Sequence, residues 1–160
     1  GYDNDTDSAH QEKWGALYNW YAVNTGKLAP AGWHVPTDAE WDTLQNYLID
    51  NGYNWDGTTS GNKIGKALAA KTDWLSSNTA AGEVGNDLSS NNSTGFSALP
   101  GGRRSYDSRF GDQSYGGYWW SATKEDASYA YARHLRWSNE DPGRYDEIKK
   151  SGRSVRLVRD

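Results

Sequence analysis

Arginine, tyrosine and tryptophan side chains concentrate toward the C-terminal end of the chain, and these residue types bind ligands more often than they transform them. The 160 residues include 9 Trp and 11 Tyr but 2 Phe. Aromatic rings with polar tips, together with arginine, are enriched at the hot spots of binding interfaces. The candidate ligand-binding residues are Tyr106, Arg109, His134, Arg136, Trp137, Asn139, Asp141, Arg144, Tyr145 and Asp146.

The sequence patterns that catalysis requires are missing. The chain has no cysteine, which excludes thiol nucleophiles, thiolate zinc sites and disulfides. Its 3 histidines form no metal-type pair, and no nucleophile-elbow motif accompanies them. Carboxylate pairs occur at Glu125-Asp126 and Glu140-Asp141, but in polar stretches that are typical of solvated loops. We therefore expect that the protein is not an enzyme. A glycan hydrolase, which needs a carboxyl of raised pKa in a pocket, is the less favoured alternative.

Charge and hydropathy restrict the partners. The net charge of −4 gives no basic field for a nucleic acid, and no apolar run is long enough to span a membrane. Asp3, Asp5 and Asp7 have the opening spacing of a calcium loop, but the glycine and the closing glutamate of an EF-hand are absent. We expect no nucleic acid, no membrane insertion and no metal in the binding site, and the oligomeric state stays open.

The candidate residues need a framework, and the apolar pattern predicts one α+β domain over residues 1–160, with residues 1–13 as a polar N-terminal arm. Thr37 followed by Glu40 predicts a capping box that opens a helix ending at Asn51-Gly52. A second helix is predicted from about Asn62 to Leu75, with loops at 76–94 and 103–117. The predicted strands are Trp14–Val23, Trp33–Val35, Phe96–Leu99, Tyr118–Thr123, Tyr129–Trp137, Arg144–Ile148 and Ser154–Arg159.

Alternation along strand 129–137 sorts its side chains between two faces. If Leu135 points into the core, Tyr131 and Arg133 share its face. His134 and Arg136 then point outward, toward a ligand. Trp137 ends the strand, so the alternation leaves its direction open.

Several motifs also occur in the order of a known family. They are Tyr2–Asp5 with Leu17–Val23, then Gly32–Thr37, Gly95–Gly102, Gly117–Ser121 and Ser154–Asp160. Together they resemble the Fibrobacter succinogenes major paralogous domain, a family of the C-type-lectin-like superfamily, to which the formylglycine-generating enzymes also belong.

The resemblance implies a C-type-lectin-like fold, in which two helices pack on a twisted antiparallel sheet beneath long loops. It assigns a structural role to His34 and a structural ion pair to Arg156. It also implies core positions for Trp33, Trp41, Trp119 and Leu135.

The chain departs from the family pattern in three places. Cysteines expected near position 1, at His10 and at Leu157 are absent, and the cysteine-dependent activity of the formylglycine-generating enzymes is therefore excluded. A further N-terminal strand is missing, which indicates a trimmed domain, and residues 124–153 follow the family loosely.

The functional expectation combines the candidate residues with the resemblance. We expect a secreted or cell-surface receptor- or adhesin-like domain that recognises a protein or a glycan. Its variable-looking C-terminal surface resembles that of receptor proteins diversified by retroelements. The alternative is a structural cell-envelope domain without a specific ligand. No cofactor is expected, but lectin-like folds often hold a structural calcium, for which Asn86, Asp87, Asn91 and Asn92 are candidate ligands.

Overall fold

A computed structural model describes residues 8–76 and 80–160, without the side chain of His10. Asp3, Asp5 and Asp7, the possible calcium loop, lie outside the described residues.

The prediction of a mixed α+β domain is confirmed, with a curled sheet as its largest element. The helices are α1 (Ser8–Trp14), α2 (Trp20–Val23), α3 (Asp38–Asp50) and α4 (Gly65–Leu68), with a 3-10 turn at Leu88–Ser90. The strands are β1 (Trp33–His34), β2 (Gly101–Arg104), β3 (Phe110–Gln113), β4 (Gly116–Lys124), β5 (Tyr129–Arg136), β6 (Gly143–Ile148) and β7 (Val158–Arg159).

Helix α3 begins where the sequence predicts. The Thr37 hydroxyl accepts a hydrogen bond from the Glu40 amide at 3.2 Å, and the Glu40 carboxylate accepts one from the Thr37 amide at 2.8 Å. This reciprocal pair is the predicted capping box, which is therefore confirmed. The helix buries Trp41 and Leu48 and ends before Gly52, whose φ of +75° suits glycine. In the described ranges, neither α3 nor any other helix is long and apolar enough to cross a membrane.

The main sheet has five strands in the order β3-β2-β4-β5-β6. Its neighbours pair antiparallel except β2 and β4, which run parallel and meet at Gly102 and Gly117. The register between β4 and β5 shifts between Trp120 and Lys124, and such a bulge bends a strand and curls its sheet. A second sheet, of β1 and β7, brings the last residues beside the start of α3.

Several predicted elements are wrong, some because of local capping and some because of contacts distant in sequence. Trp14–Val23 is not a strand: the Asn19 side chain accepts a hydrogen bond from the Ala22 amide and caps the short helix α2. The second predicted helix shrinks to α4, because Ala69 pairs with Ala98 as an isolated bridge. The loop predicted at 103–117 contains part of β2, all of β3 and the start of β4. Of the strand predicted at Ser154–Arg159, only β7 forms.

Apolar clusters cover both sides of the central strands. One, on the side of α3, contains Trp41, Leu48, Ile64, Leu68, Ala69, Trp74, Val84, Ala98, Trp119 and Leu135. The other, on the side of α2, contains Trp20, Val23, Val35, Trp120, Ala130 and Ala132. Burying one Trp is worth about 4–6 kcal/mol as an upper estimate, so a few rings replace many aliphatic side chains.

The core positions implied by the resemblance fit the structure except at one residue. Trp41, Trp119 and Leu135 are buried, but Trp33 is 45% exposed because it lies on β1, outside both clusters. The guanidinium of Arg156 lies 4.2 Å from the centre of the Phe96 ring, so its contact is a cation–π interaction in place of the expected ion pair.

A buried ionic network ties α3 to the sheet. The guanidinium of Arg133, 6% exposed, donates to the carboxylates of Asp38 at 2.5 Å and Asp42 at 2.9 Å. Arg144 also donates to Asp38, at 2.8 Å, while lying over the ring of Tyr131. Asp38 is in the first turn of α3, where a negative charge is favourable for the helix dipole.

Replacing Asp38 with alanine should destabilise the fold by about 3–5 kcal/mol, because it leaves the buried charge of Arg133 without its main partner. The matched control is Asp42→Ala, which removes a carboxylate that is half exposed and should cost about 1 kcal/mol or less. Urea unfolding of both variants measures the difference. Equal losses would show that the network does not depend on Asp38.

His34 connects β1 to α3 and to the end of the described chain. Its Nδ1 lies 2.6 Å from the Asp160 carboxylate and its Nε2 lies 2.8 Å from that of Glu40. These hydrogen bonds, first to Asp160 and then to Glu40, raise the pKa of His34 above its ordinary value of 6.5. The imidazole therefore has the structural role expected for it.

The contribution of His34 to stability should fall as pH rises. A raised folded pKa means that the folded state holds the proton more tightly, so this contribution is complete below about pH 6 and disappears as pH passes the folded pKa. The difference in unfolding free energy between the wild type and His34→Gln should be larger at about pH 6 than at about pH 9. A difference independent of pH would contradict the ion pairing.

Candidate ligand-binding site

The side of the sheet that carries α2 is open at the end of β5, where Arg136 is exposed, while the start of β4 beside it is buried. Tyr118 pairs across the strands with His134, so these side chains share one face, while the adjacent Trp119 and Arg133 share the opposite, buried face. Arg136, two residues beyond His134, joins the open side. We call this open region, with the side chains of the β2–β3 hairpin that border it, the outer face.

Three rings pack together at the base of the outer face. The ring centres of Tyr118 and His134 are 5.9 Å apart, those of His134 and Tyr145 are 5.2 Å apart, and those of Tyr118 and Tyr145 are 6.4 Å apart. Two glycines make room for them. A Cβ atom at Gly143 would lie 2.2 Å from the His134 ring, and one at Gly116 would lie 2.7 Å from the Tyr118 ring. Larger residues at either glycine would displace the rings.

Hydrogen bonds hold the two phenols in place. The Tyr118 hydroxyl donates to Asp112 at 2.9 Å, and the Asp112 carboxylate also accepts from Arg103. The Tyr145 hydroxyl accepts from Arg153 at 2.9 Å, and Arg153 is itself paired with a carboxylate on β6. Asp112 has a φ of +66°, a left-handed conformation that costs energy outside glycine and is often found at functional sites.

Burial and these partners set the charge of each group. Burial, then the hydrogen bond to Asp112, raises the pKa of Tyr118 to about 12. Burial, then the charge of Arg136, lowers the pKa of His134 to about 4. Burial alone would raise the pKa of Asp112, but the hydrogen bonds from Arg103 and Tyr118 outweigh it and lower that pKa. At neutral pH the site therefore contains a neutral phenol, a neutral imidazole and an ionised carboxylate.

A cleft of about 290 Å³ opens beside Tyr118 and Asp112, which are part of its lining. Its rim contains an aromatic pair, in which Tyr115 and Trp137 meet edge to face with ring centres 6.3 Å apart. Tyr115 is 51% exposed, and Arg136 is also exposed. The backbone of Trp137 is fixed by a 2.7 Å hydrogen bond from the Gly85 amide. The residues that line the cleft are Arg103, Asp112, Tyr115, Tyr118, Arg136, Trp137 and Ser138.

The structure brings together four of the ten residues singled out from the sequence: His134 and Tyr145 at the base, and Arg136 and Trp137 at the rim. The others lie elsewhere. Tyr106 and Arg109 are exposed in the turn between β2 and β3, and Asn139 and Asp141 are in the β5–β6 connection. Arg144 and Asp146 lie on the opposite face of β6, where Arg144 belongs to the buried network.

Sequence reasoning missed Arg103, Asp112, Tyr115, Tyr118 and Ser138 as site residues. Tyr118 belongs to one of the motifs that carry the family resemblance, and the other four residues lie in or beside predicted loops. The available signal was the alternation along β4, which places Tyr118 on the face opposite the core residue Trp119.

The arrangement is suited to binding more than to acid–base catalysis. Asp112 is the carboxylate of the cleft lining, and its lowered pKa is opposite to what a glycosidase acid requires. Glu125-Asp126 and Glu140-Asp141 do not line the cleft. Among the described residues no three His, Asp or Glu side chains cluster as metal ligands would.

The candidate calcium ligands have partners within the protein. The ammonium of Lys66 donates to the backbone oxygens of Asn86 and Asp87. The Asn91 side chain donates to the carbonyls of Ala70 and Val84, both at 3.1 Å, and that of Asn92 bonds to Ser97. A protein cation therefore occupies the side of this loop where the carbonyl oxygens converge.

The two histidines whose rings the structure describes should have pKa values on opposite sides of the ordinary value of 6.5. NMR of the ring protons should give a midpoint of about 4 for His134 and a midpoint above 6.5 for His34. Between pH 4 and pH 6.5, His134 binds a proton in the unfolded protein but not in the folded one. Its presence should therefore lower the free energy of unfolding as pH falls from 6.5 to 4. His134→Gln identifies the signal, and a His134 midpoint near 6.5 would mean that the ring is solvated.

Comparison with known proteins gives one match. No curated protein and no solved structure matches the chain. The model of the Fibrobacter succinogenes major domain matches residues 1–159, which is nearly the whole sequence. The chain therefore belongs to the Fibrobacter succinogenes major domain family.

Proposed function

We propose that this protein is a non-catalytic ligand-binding domain, receptor- or adhesin-like and secreted or displayed at the cell surface. It recognises a protein or a glycan through the cleft of the outer face. The observation that carries this proposal is the cleft itself, whose rim consists of the exposed Tyr115 and Arg136 and the half-buried Trp137, next to the hydrogen-bonded Tyr118.

Preorganisation supports this function. Holding binding groups rigidly before the ligand arrives lowers the entropic cost of association. The phenols of Tyr118 and Tyr145 are fixed by Asp112 and Arg153, and the backbone of Trp137 is fixed by Gly85. Tyr, Trp and Arg at the rim are the residue types that dominate binding hot spots.

The proposed fold is C-type-lectin-like, with the C-terminal surface of the kind that retroelements diversify. Helix α3 on a curled sheet, long irregular connections and the pairing of β1 with the C-terminal β7 are consistent with that fold. Rim side chains such as Arg136 and Ser138 are exposed and lie outside both core clusters, as replaceable positions would.

Alanine at Tyr115, Arg136 or Trp137 should each weaken binding by about 2 kcal/mol or more, because hot-spot truncation has this cost. Melting temperatures should stay within about 2 °C for Tyr115 and Arg136, whose side chains are exposed. Glycan and protein arrays, with and without calcium, identify the ligand. The matched control is Tyr47→Ala on α3, with 59% of the residue exposed.

Each array outcome has a distinct meaning. Binding that is lost in the rim variants and retained in Tyr47→Ala supports the proposal. If the rim variants lose stability but still bind the ligand, the cleft is not the binding site. Silence on both arrays would favour the alternative, a structural cell-envelope domain without a ligand.

A further inference from the structure

The charges around the cleft do not balance. Arg103 is paired with Asp112, and Arg153 is paired with Glu147. Arg136 is different: within the described part of the chain its side chain makes no hydrogen bond or ion pair, although its charge helps to lower the pKa of Asp112. After the pairings, one positive charge remains at the rim of a cleft in a chain whose net charge is −4.

Asp112 is the carboxylate that faces this charge in the cleft lining, and it already accepts hydrogen bonds from Arg103 and Tyr118. His134, on the same face, is neutral at physiological pH because burial and Arg136 itself keep its pKa low. Glycine at position 116, the cross-strand partner of Arg136, has no side chain that could cover the guanidinium. The guanidinium is therefore available to a carboxylate, which it can bind through two parallel hydrogen bonds.

The remaining lining fits a sugar better than a peptide. Around Arg136 are the exposed Ser138 hydroxyl and the Asp112 carboxylate, which accepts from Arg103 and Tyr118 and has further lone pairs for a sugar hydroxyl. The ring of Tyr115, 51% exposed, offers an apolar surface, and the half-buried Trp137 meets it edge to face. An apolar peptide side chain would need an apolar pocket, and this cleft is lined mainly by polar groups.

We propose that the cleft binds an acidic glycan, with Arg136 pairing with the carboxylate of a uronic acid residue and Trp137 packing against the sugar ring. This inference rests on the proposed function and specifies the ligand class of the same site.

The test uses oligosaccharides that differ in charge alone. Calorimetry with tetragalacturonate, an alginate tetrasaccharide and a hyaluronan tetrasaccharide is compared with the carboxyl-reduced form of each. At least one acidic probe should bind about tenfold to a hundredfold more tightly than its reduced form, because a charge-assisted hydrogen bond has this value. Arg136→Gln should abolish the preference, and Arg159→Gln, an exposed arginine on β7, should retain it.

Other outcomes overturn the inference while leaving the proposed function to its own test. If the acidic and reduced probes bind equally and Trp137→Ala abolishes this binding, the cleft is a glycan site that does not distinguish charged from neutral sugars. Binding of a polyglutamate peptide through Arg136, without binding of any uronate, would assign the cleft to an acidic protein segment. No binding of any acidic probe by the wild type would reject the uronic acid, whereas an array ligand lost in the rim variants would still support a binding domain.

Discussion

Two consecutive tryptophans on one strand are the constraint on which this fold depends. Because side chains alternate along a strand, Trp119 and Trp120 point to opposite faces of β4, and both are buried. Each face therefore needs its own cover, which α3 provides on one side and α2 on the other. Tyr118 shares the face of Trp120 and is itself buried, so its hydroxyl must find a polar partner, which is Asp112. The cleft lies beside this tyrosine, where the exposed Arg136 ends β5.

Charge has different roles on the two faces. On the covered face, Arg133 and Arg144 share the carboxylate of Asp38, and the network locks α3 onto the sheet. On the other face, the Asp112 carboxylate that pairs with Arg103 accepts from the Tyr118 hydroxyl, and Arg153 donates directly to the Tyr145 hydroxyl. A buried ion pair contributes little net stability because desolvation offsets attraction. Its value here is geometric, since it selects one orientation of the helix and one position for each ring.

The sequence predicts those parts of the structure that are encoded locally. The capping box of Thr37 and Glu40 and the pleats of β4 and β5 depend on residues a few positions apart, and they were found. Trp14–Val23 has strand composition, but its last four residues form α2, which the Asn19 side chain caps and whose Trp20 indole donates to the carbonyl of Ser121. Arg144 was assigned to the ligand because its face is set by the register with β5, which composition does not reveal. The site was predicted in part for the same reason: two of its missing members, Arg103 and Asp112, lie on the β2–β3 hairpin, and only pairing of β2 with β4 brings them beside Tyr118.

The division between base and rim determines how this surface can evolve. His134, Tyr118 and Tyr145 pack tightly against glycines and against each other, so substitutions there disturb the sheet. Tyr115 and Arg136 extend into solvent, and their replacement costs little folding energy. A rigid base with a replaceable rim would let the ligand preference of the proposed site change without loss of the fold. The chain can carry exposed aromatic side chains although aliphatic ones are sparse, because buried tryptophans supply its core.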